Sequence, residues 1–414
     1  MKVLMAPVNI AGQPIQIVEE LRRQGIDARL LQYTSGTGHP FGYRSDKLVN
    51  LLPDRQATQF STLKSCLSEG YDIFHFWLRS LFYGRLYRDF LGLDVPLIKA
   101  RGRKVVYRFT GFDLRLKSED MRKNPYSAFH YGFDLGFDEE MQRKYIAFLE
   151  EYVDEFIVQD PEMHDFFPRA RVVPRVINLD SWPYVGVSKT DSPLIVHAPS
   201  KKKIKGSAFV QAALDDLKSE GLNFSYKPIV DMKHEEAIEW YKQADIIVDQ
   251  LHVGWYGVLA LEGMALGKPV VVYMREELLD RFEHKVPIEN ANPDTVKESL
   301  RSLIKDYDKR AELGRLSREY VEKVHDIKKV VAQLIGIYEE VLNTEPTVPQ
   351  SFADIEYFQA QLSLVENKRL VNIIELRERV KRFHGEKNKL RRFSQFIKRL
   401  GMLYKKLNSQ FGKR

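Results

Sequence analysis

The sequence predicts an α/β protein built from parallel sheets. Short apolar runs alternate with amphipathic stretches along most of residues 1–340, and this alternation is typical of βαβ units. It is interrupted once, by a Pro- and Ser-containing segment over 177–192, after which a second series begins. A hydrophobic fraction of 44% supplies enough apolar material for buried cores. We therefore expect two parallel-sheet domains, with ligands bound between the carboxyl ends of their strands.

These patterns divide the 414 residues into four ranges. The first domain is predicted over 1–176, a linker over 177–192 and the second domain over 193–343. Two prolines shortly after residue 343 interrupt any continuing helix and begin an extension over 344–414.

The first series contains six predicted strands, with helical patterns between several of them. The helix over 14–24 places Ile15, Val18 and Leu21 on one face, and a second helical pattern covers 139–153. The strands are predicted at 2–7, 26–33, 73–76, 104–109, 155–158 and 171–173. In the second series, strands are predicted at 194–198, 223–230, 245–249 and 268–273, and helices at 207–219, 234–242 and 258–266.

One loop of the second series suits a diphosphate. A strand ends at Asp249-Gln250, a glycine-bearing loop follows, and a helix begins near Val258. Free amides at a helix N-terminus attract phosphate, and Gly257 lets a phosphate approach the backbone closely. Glu262 lies one turn inside this helix, where a carboxylate would accept hydrogen bonds from ribose hydroxyls. An ordinary strand-loop-helix unit with a solvated glutamate explains the same spacing and stays open.

A second loop, 197–206, also follows a strand and precedes a helix, and it contains four lysines. Lysines at the carboxyl end of a sheet would neutralise the charge that builds on a departing nucleoside diphosphate. A solvated basic loop is the alternative that the residues leave open.

Together the two loops resemble the retaining glycosyltransferases of family 4. The resemblance is carried by His197-Ala198-Pro199-Ser200 with Ile204-Lys205-Gly206, by Asp249-Gln250, and by Gly254-Trp255-Tyr256-Gly257 with Glu262-Gly263-Met264-Ala265-Leu266-Gly267-Lys268-Pro269. It covers about residues 1–340 and is specific mainly over 173–273. Family members have the GT-B architecture, in which two Rossmann-like domains face each other across a cleft. The same α/β architecture is expected here, with a helical basic C-terminal extension.

The resemblance implies a role for each donor-site residue. Lys202 and Lys205 match the family's basic pair on the donor diphosphate, and Glu262 matches the second glutamate of its glutamate pair, which binds ribose. These three are the expected catalytic residues. The first glutamate of that pair falls at Gly254 and is absent, which leaves the sugar undetermined. The expected donor-binding set is Gly12, Lys202, Lys205, Gly206, Gln250, Tyr256, Gly257, Val258 and Glu262.

The acceptor site is expected in the first domain. The run Thr110-Gly111-Phe112-Asp113-Leu114-Arg115 resembles the family's His-Gly-x-Asp-x-Arg, with Thr110 in place of the histidine. Asp113 and Arg115 would orient acceptor hydroxyls, or they have a structural role in the local chain. His75, near the end of another predicted strand, is a further candidate, with a packed core position as its alternative.

The resemblance implies sugar transfer from a nucleoside diphosphate sugar to a glycan or lipid-linked hydroxyl, with retention of anomeric configuration. No Asp-x-Asp pair follows a strand, so neither a metal ion nor another cofactor is expected. Two alternatives stay open: a nucleotide-sugar epimerase or hydrolase of the same fold, and a catalytically inactive interaction module. A nucleic-acid partner is not expected, because the sequence lacks recognisable base-reading modules.

Basic charge is concentrated near the C-terminus. Residues 381–414 hold twelve Lys or Arg and one acid, whereas the whole chain has a net charge of +7. Apolar residues spaced three and four apart over 386–411 predict an amphipathic helix. Such a helix would bind an anionic membrane surface. Packing on the chain's own surface or in a homodimer is the alternative.

The remaining composition indicates the compartment. Cys66 is the single cysteine, which excludes an intrachain disulfide and fits a reducing environment. The N-terminal apolar run is too short for a signal peptide, and no window reaches the roughly 18 apolar residues of a membrane span. We therefore expect a cytoplasmic protein, peripheral at the inner face of the cell membrane.

Overall fold

A computed structural model describes residues 1–35, 43–53, 55–83, 92–134, 138–279 and 284–345. The predicted amphipathic helix over 386–411, with its membrane and homodimer alternatives, lies outside these residues. Within the described ranges, no helix is both long enough and apolar enough to cross a membrane.

The first part of the chain forms a seven-stranded parallel sheet in the order β3-β2-β1-β4-β5-β6-β7. Its strands are β1 (Lys2–Ala6), β2 (Asp27–Thr34), β3 (Lys47–Asn50), β4 (Ile73–Trp77), β5 (Lys104–Arg108), β6 (Glu155–Val158) and β7 (Arg171–Val172). The α-helices along this part are α1 (Gln13–Arg23), α2 (Arg55–Ser68), α3 (Asp94–Lys99), α4 (Lys117–Lys123) and α5 (Glu139–Tyr152).

The next part forms a five-stranded parallel sheet in the order β12-β11-β10-β8-β9. Its strands are β8 (Leu194–His197), β9 (Ser225–Pro228), β10 (Ile246–Val248), β11 (Val270–Val272) and β12 (Glu289–Asn290). The helices are α6 (Lys202–Lys205), α7 (Ser207–Ser219), α8 (His234–Gln243), α9 (Val258–Ala265), α10 (Glu276–Leu279), α11 (Val296–Lys305), α12 (Tyr307–Val324) and α13 (Ile327–Leu342).

Both sheets reverse their winding direction beside their first strand. The strand β1 lies between β2 and β4, and β8 lies between β9 and β10. In open parallel sheets, ligands bind outside the carboxyl ends of the strands at such a reversal. The loop after β1 contains Gly12, and the loop after β8 leads to Lys205. The fold therefore places two of the predicted donor-binding residues, Gly12 and Lys205, in loops at reversal points.

The helix α13 returns the chain to the first sheet. Its residues Val331, Leu334 and Tyr338 are buried in one core with Val3 and Met5 of β1. The predicted ranges group this helix with the second domain over 193–343, but its packing is with the first sheet. Amphipathic spacing shows that a helix buries one face, and it does not show which sheet covers that face.

The ten predicted strands all occur, and seven of them are shorter than predicted. Backbone pairing on β11 ends at Val272, although Tyr273 and Met274 beyond it are still buried. The strands β3 and β12 were not predicted, nor were several helices, α2 among them. The strand β3 lies at the edge of its sheet, where three of its four residues are exposed, so it lacks the apolar run that marks a buried strand.

Candidate functional site

A cluster of five residues joins the two donor loops of the second sheet, which follow β8 and β10. Asp249 is fully buried at the end of β10, and one of its carboxylate oxygens accepts the Gly257 N–H at 2.7 Å. Its other oxygen pairs with Lys205 Nζ. Lys205 Nζ also donates to Gln250 Oε1 at 2.9 Å, and Gln250 Nε2 donates to the Trp255 carbonyl at 2.6 Å. The structure therefore holds the Lys205 ammonium group beside the loop that leads into α9.

Only glycine fits at position 257, because a side chain there would collide with neighbouring side chains. A Cβ atom at this position would lie 2.8 Å from Asp249 Oδ2 and 3.2 Å from Lys205 Nζ. Gly257 precedes α9 and supplies no side chain to cap it. The first N–H groups of a helix have no intrahelical acceptor, and they favour an anion. With Lys205 beside them, the amides from Val258 onward form a site suited to phosphate oxygens.

Glu262 is part of a pair that the sequence did not reveal. Its Oε1 lies 2.7 Å from Nε2 of His234, the first residue of α8. Burial would lower the pKa of His234, but the hydrogen bond and charge of Glu262 outweigh burial and raise it. The carboxylate thus has one oxygen engaged by the His234 imidazole. The position of His234 shortly after β9, at the carboxyl end of a strand, was the one available signal.

Gly12 approaches the same region from the first sheet. It has a φ of +67°, and a Cβ atom there would meet the Tyr43 ring at 2.9 Å. The Tyr43 ring in turn lies 5.2 Å from the His234 ring, centroid to centroid. Burial, followed by the charge of Glu262, raises the pKa of Tyr43. The structure therefore brings Gly12, which is predicted to bind the donor, close to Glu262.

The predicted lysine pair is not symmetric. Lys202 is exposed in α6, and its side chain makes no hydrogen bond or ion pair with any residue that the structure describes. Lys205 is mostly buried and bonded to two side chains. Gly206, with a φ of +70°, ends this short helix and packs against Leu251. Of the two lysines, only Lys205 is therefore held in place beside the loop over 249–257 that precedes α9. We call this loop the anion-binding loop.

Tyr256 has a different position from the one predicted. Its side chain is buried, and its hydroxyl lies 2.9 Å from the Tyr320 hydroxyl and 2.8 Å from His325 Nε2. Neither partner belongs to the cluster around Lys205. Tyr256 therefore reaches the predicted donor site only through its main chain, as the neighbour of Gly257.

The predicted acceptor residues after β5 mainly stabilise their own loop. The Asp113 carboxylate accepts the N–H groups of Thr110 at 3.0 Å and Gly111 at 2.6 Å. Burial raises the pKa of Asp113 to about 6. Arg115 is buried in an ion pair with Glu162. In this structure both charged side chains have local partners.

The burial of His75 contradicts its interpretation as an acceptor-site residue and supports the alternative, a packed core position. His75 is 0% exposed on β4, and its Nδ1 lies 2.6 Å from the hydroxyl of Tyr338 on α13. Burial lowers the pKa of this imidazole well below its usual value. An acceptor hydroxyl cannot reach it, so its place is in the core beneath α13.

Arg275 occupies the space beside Gly254. Gly254 has a φ of +82°, and a Cβ atom there would lie 2.8 Å from the Arg275 side chain. The Arg275 guanidinium pairs with Asp165, which follows β6, at 2.6 Å and with Glu277 at 2.7 Å. An arginine side chain thus lies beside Gly254, the position at which the resemblance predicts that a glutamate is missing. Among the described residues, no three His, Cys, Asp or Glu side chains group as metal ligands would.

Loops of the two sheets also contact each other directly. Asn124 Nδ2 donates to the His252 carbonyl at 3.0 Å, and the Tyr131 ring stacks on the His252 ring at 4.3 Å. Tyr126 bonds Asp294 at 2.6 Å through its hydroxyl. These contacts join the loops after β5 to those of the second sheet.

Comparison with known proteins agrees with this arrangement. Residues 213–320 match the family described as glycosyl transferases group 1. No curated protein matches the chain in sequence. The sucrose-phosphate synthase of Thermosynechococcus elongatus superposes with a TM-score of 0.57 at 14% identity, covering 82% of this chain and 98% of that one.

Two further solved structures share the fold. Anabaena HepE in complex with UDP-glucose has a TM-score of 0.55 at 13% identity, covering 82% of this chain and 100% of its own. The catalytic domain of Arabidopsis thaliana starch synthase IV, bound to ADP and acarbose, has a TM-score of 0.53 at 12% identity, covering 83% and 100%. The chain therefore has the GT-B fold, and its second sheet carries a segment that matches the group 1 glycosyl transferases.

Proposed function

We propose that this chain is a metal-independent glycosyltransferase. It moves a sugar from a nucleoside diphosphate sugar to an acceptor hydroxyl, with retention of anomeric configuration. The observation that carries the proposal is the grouping of Lys205, Asp249 and Gly257 at the start of α9. The group 1 match over 213–320 includes α9 and supports the same reading.

Lys205 has one donor left for a ligand. An ammonium group has three N–H bonds, and two of them are directed to Asp249 and Gln250. The third is available to a phosphate oxygen, together with the amides of the first turn of α9. A diphosphate thus binds without displacing either side chain.

The chemistry follows from this geometry. Transfer breaks the bond between the anomeric carbon and the diphosphate oxygen, and the bonding electrons leave with the diphosphate. Negative charge therefore grows on that oxygen, where Lys205 and the α9 amides stabilise it. The acceptor oxygen bonds the anomeric carbon from the same face, and its proton passes to the leaving diphosphate. This route requires no protein nucleophile.

Glu262 is the proposed ribose-binding residue. Its Oε1 is engaged by His234, so Oε2 is the oxygen offered to the ribose hydroxyls. Two neighbours of the same fold hold UDP-glucose or ADP, and a nucleoside diphosphate sugar is accordingly the proposed donor class. The proposed acceptor is a glycan or lipid-linked hydroxyl. The basic helix predicted over 386–411 would bind an anionic membrane and so bring the protein close to such an acceptor.

The test is turnover of purified full-length protein with UDP-, GDP-, ADP- and dTDP-sugars, in EDTA, with and without glycan acceptors. We expect acceptor-dependent release of nucleoside diphosphate and an α-configured product from an α-linked donor, assigned by NMR. A matching thermal-shift screen should identify the base. A ligand at 100 times its dissociation constant adds about 2.7 kcal/mol to the free energy of unfolding.

Other outcomes separate the alternatives. Equal release of nucleoside diphosphate without acceptor would identify a hydrolase. Conversion of the donor into an epimeric nucleotide sugar, without acceptor and without net release of nucleoside diphosphate, would identify an epimerase. Activity lost in EDTA and restored by Mn²⁺ would overturn metal independence. No stabilisation by any nucleotide would leave the inactive interaction module.

A further inference from the structure

The two segments that pass between the sheets pair with each other. One passes through Ile177 after β7, and the other passes through His325 and Asp326 between α12 and α13. Ile177 forms a parallel bridge with Asp326. Its N–H donates to the His325 carbonyl at 2.9 Å, and its own carbonyl accepts the Ile327 N–H at 3.1 Å. We call this paired region, 175–177 with 325–327, the hinge, because a rotation of one domain against the other has to bend it.

The imidazole of His325 links the hinge to a chain of buried hydroxyls. His325 Nδ1 lies 2.8 Å from the Arg175 carbonyl, which can only accept, so Nδ1 carries the proton. Burial, followed by the charge of Arg175, lowers the pKa of His325 to about 4, so the ring is neutral and Nε2 accepts. Nε2 therefore accepts a hydrogen bond from the Tyr256 hydroxyl at 2.8 Å, and the Tyr256 oxygen in turn accepts one from the Tyr320 hydroxyl at 2.9 Å.

Tyr256 also lies between two anchored main-chain groups of the donor loop. The Trp255 carbonyl before it accepts from Gln250, and the Gly257 N–H after it donates to Asp249. Gln250 and Asp249 are the two side chains that hold Lys205. The Tyr256 ring therefore connects the hinge to the loop that holds Lys205.

The hinge carbonyl is fixed on the side of the first sheet. The Arg175 guanidinium pairs with both carboxylate oxygens of Asp160, which follows β6, and Nη2 lies 2.7 Å from Oδ2. Arg175 and Asp160 are both buried. A rigid contact path therefore runs from the first sheet through Arg175, His325 and Tyr256 to Gly257.

We infer that Tyr256 and His325 are positioning residues that couple occupation of the anion-binding loop to the angle between the two domains. The inference rests on the proposed function, since it needs a nucleotide that binds this loop. A phosphate on Lys205 and the α9 amides pulls on Gly257, and the neighbouring ring transmits that movement to the hinge. The buried hydroxyl and imidazole move with it, because leaving either without its partner is costly.

The test follows hydrogen–deuterium exchange of the hinge amides Ile177 and Ile327 in the full chain, with saturating UDP and, separately, ADP. In the unmodified protein, nucleotide should change their exchange rates about threefold or more, as a shift in a local opening equilibrium. Tyr256→Phe removes one hydroxyl and keeps the ring. It should lose the hinge response and about tenfold in kcat, while nucleotide affinity stays within about threefold.

Tyr320→Phe is the matched control. It removes a hydroxyl from the same buried chain but leaves the path from Tyr256 to His325 intact, so the hinge response should remain. His325→Leu cuts the path from the hinge side and should lose the response as Tyr256→Phe does. It also serves if the tyrosine variant fails to fold.

The outcomes distinguish the inference from the function on which it rests. Nucleotide binding with an unchanged hinge, or an equal response in the Tyr256→Phe and Tyr320→Phe proteins, overturns the coupling and leaves the proposed function standing. Absence of binding by either nucleotide, with no turnover of any nucleotide sugar, overturns both.

Discussion

Lys205 and Lys202 lie three positions apart, yet their different surroundings predict that they contribute unequally to stabilising the leaving diphosphate. Lys205 is held by Asp249 and Gln250 beside the start of α9, whereas Lys202 is exposed on α6. A charge that is already oriented requires no reorganisation when the leaving group becomes negative. An exposed lysine has to give up water and side-chain freedom to do the same work.

We therefore predict that Lys205→Ala lowers kcat by roughly 10²–10³, in the range seen for loss of one oriented donor to a developing oxyanion. Lys202→Ala should lose less. Lys201→Ala, an exposed neighbour outside the cluster, is the control and should keep its turnover. Steady-state kinetics on folded variants decides the ranking, and near-normal turnover of Lys205→Ala would contradict the proposed mechanism.

Much of this site could be predicted from the sequence, for a simple geometric reason. Carboxyl ends of neighbouring parallel strands meet at one edge of a sheet, so the residues after β8 and β10 had to lie close together. The pairing of Glu262 with His234 was not accessible in the same way. It depends on how α8 lies against α9, which is set by packing over many side chains. Arg275 beside Gly254 was missed for the same reason.

The start of α9 is the element on which the anion site depends. The helix follows a strand end directly, and Gly257 leaves room for the Lys205 and Asp249 side chains. The predicted helix over 258–266 and the observed α9 agree closely, because the helix is apolar apart from Glu262 and is buried after Val258.

Gly257→Ala should weaken nucleotide binding about tenfold or more. Its Cβ would lie 2.8 Å from Asp249 Oδ2, and overpacking of this kind typically costs about 1–3 kcal/mol. Gly263→Ala is the matched control in the same helix. Its Cβ would meet Ile247 at 2.9 Å, so the change should lower thermal stability and spare affinity. Calorimetric titration with the best nucleotide, beside thermal unfolding, checks both. Equal affinities for the Gly257→Ala and unmodified proteins would remove this loop from the site.

Other elements show where sequence periodicity stops being informative. The edge strand β3 has little to bury, so its pattern resembles a loop. Amphipathic spacing in α13 indicates one buried face, but the partner of that face, the core around Val3 and Met5, lies more than 300 residues earlier. Local spacing identifies elements well and their long-range partners poorly.

At the scale of the whole molecule, the sequence predicts that the helix over 386–411 binds an anionic membrane surface, with packing on the chain itself or in a homodimer as the alternative. The described part of the chain ends at residue 345, and the basic amphipathic stretch lies well beyond it, over 386–411. Its cations would contact anionic headgroups, and its apolar face would enter the interface.

Flotation with liposomes tests this attachment. Full-length protein should float with anionic vesicles at low salt and dissociate as salt rises, since the screening length falls from about 10 Å at 0.1 M to about 3 Å at 1 M. There are two controls. Full-length protein should not float with neutral vesicles, and a 1–380 truncation should not float with anionic ones. A truncation that floats as well as the full chain would contradict membrane binding through this segment. A halved solution mass on truncation would instead support the homodimer.

The return of α13 to the first sheet also has a consequence for biosynthesis. Residues 194–324 form a sheet whose strands and neighbouring helices are contiguous in the chain, whereas the core around β1 includes residues up to Val341. Synthesis begins at the N-terminus, so Val3 and Met5 leave the ribosome long before the helix that covers them. The later half can therefore complete its fold first, while the earlier half waits with an apolar face uncovered. Nascent chains stalled before residue 327 would be the ones most in need of a chaperone.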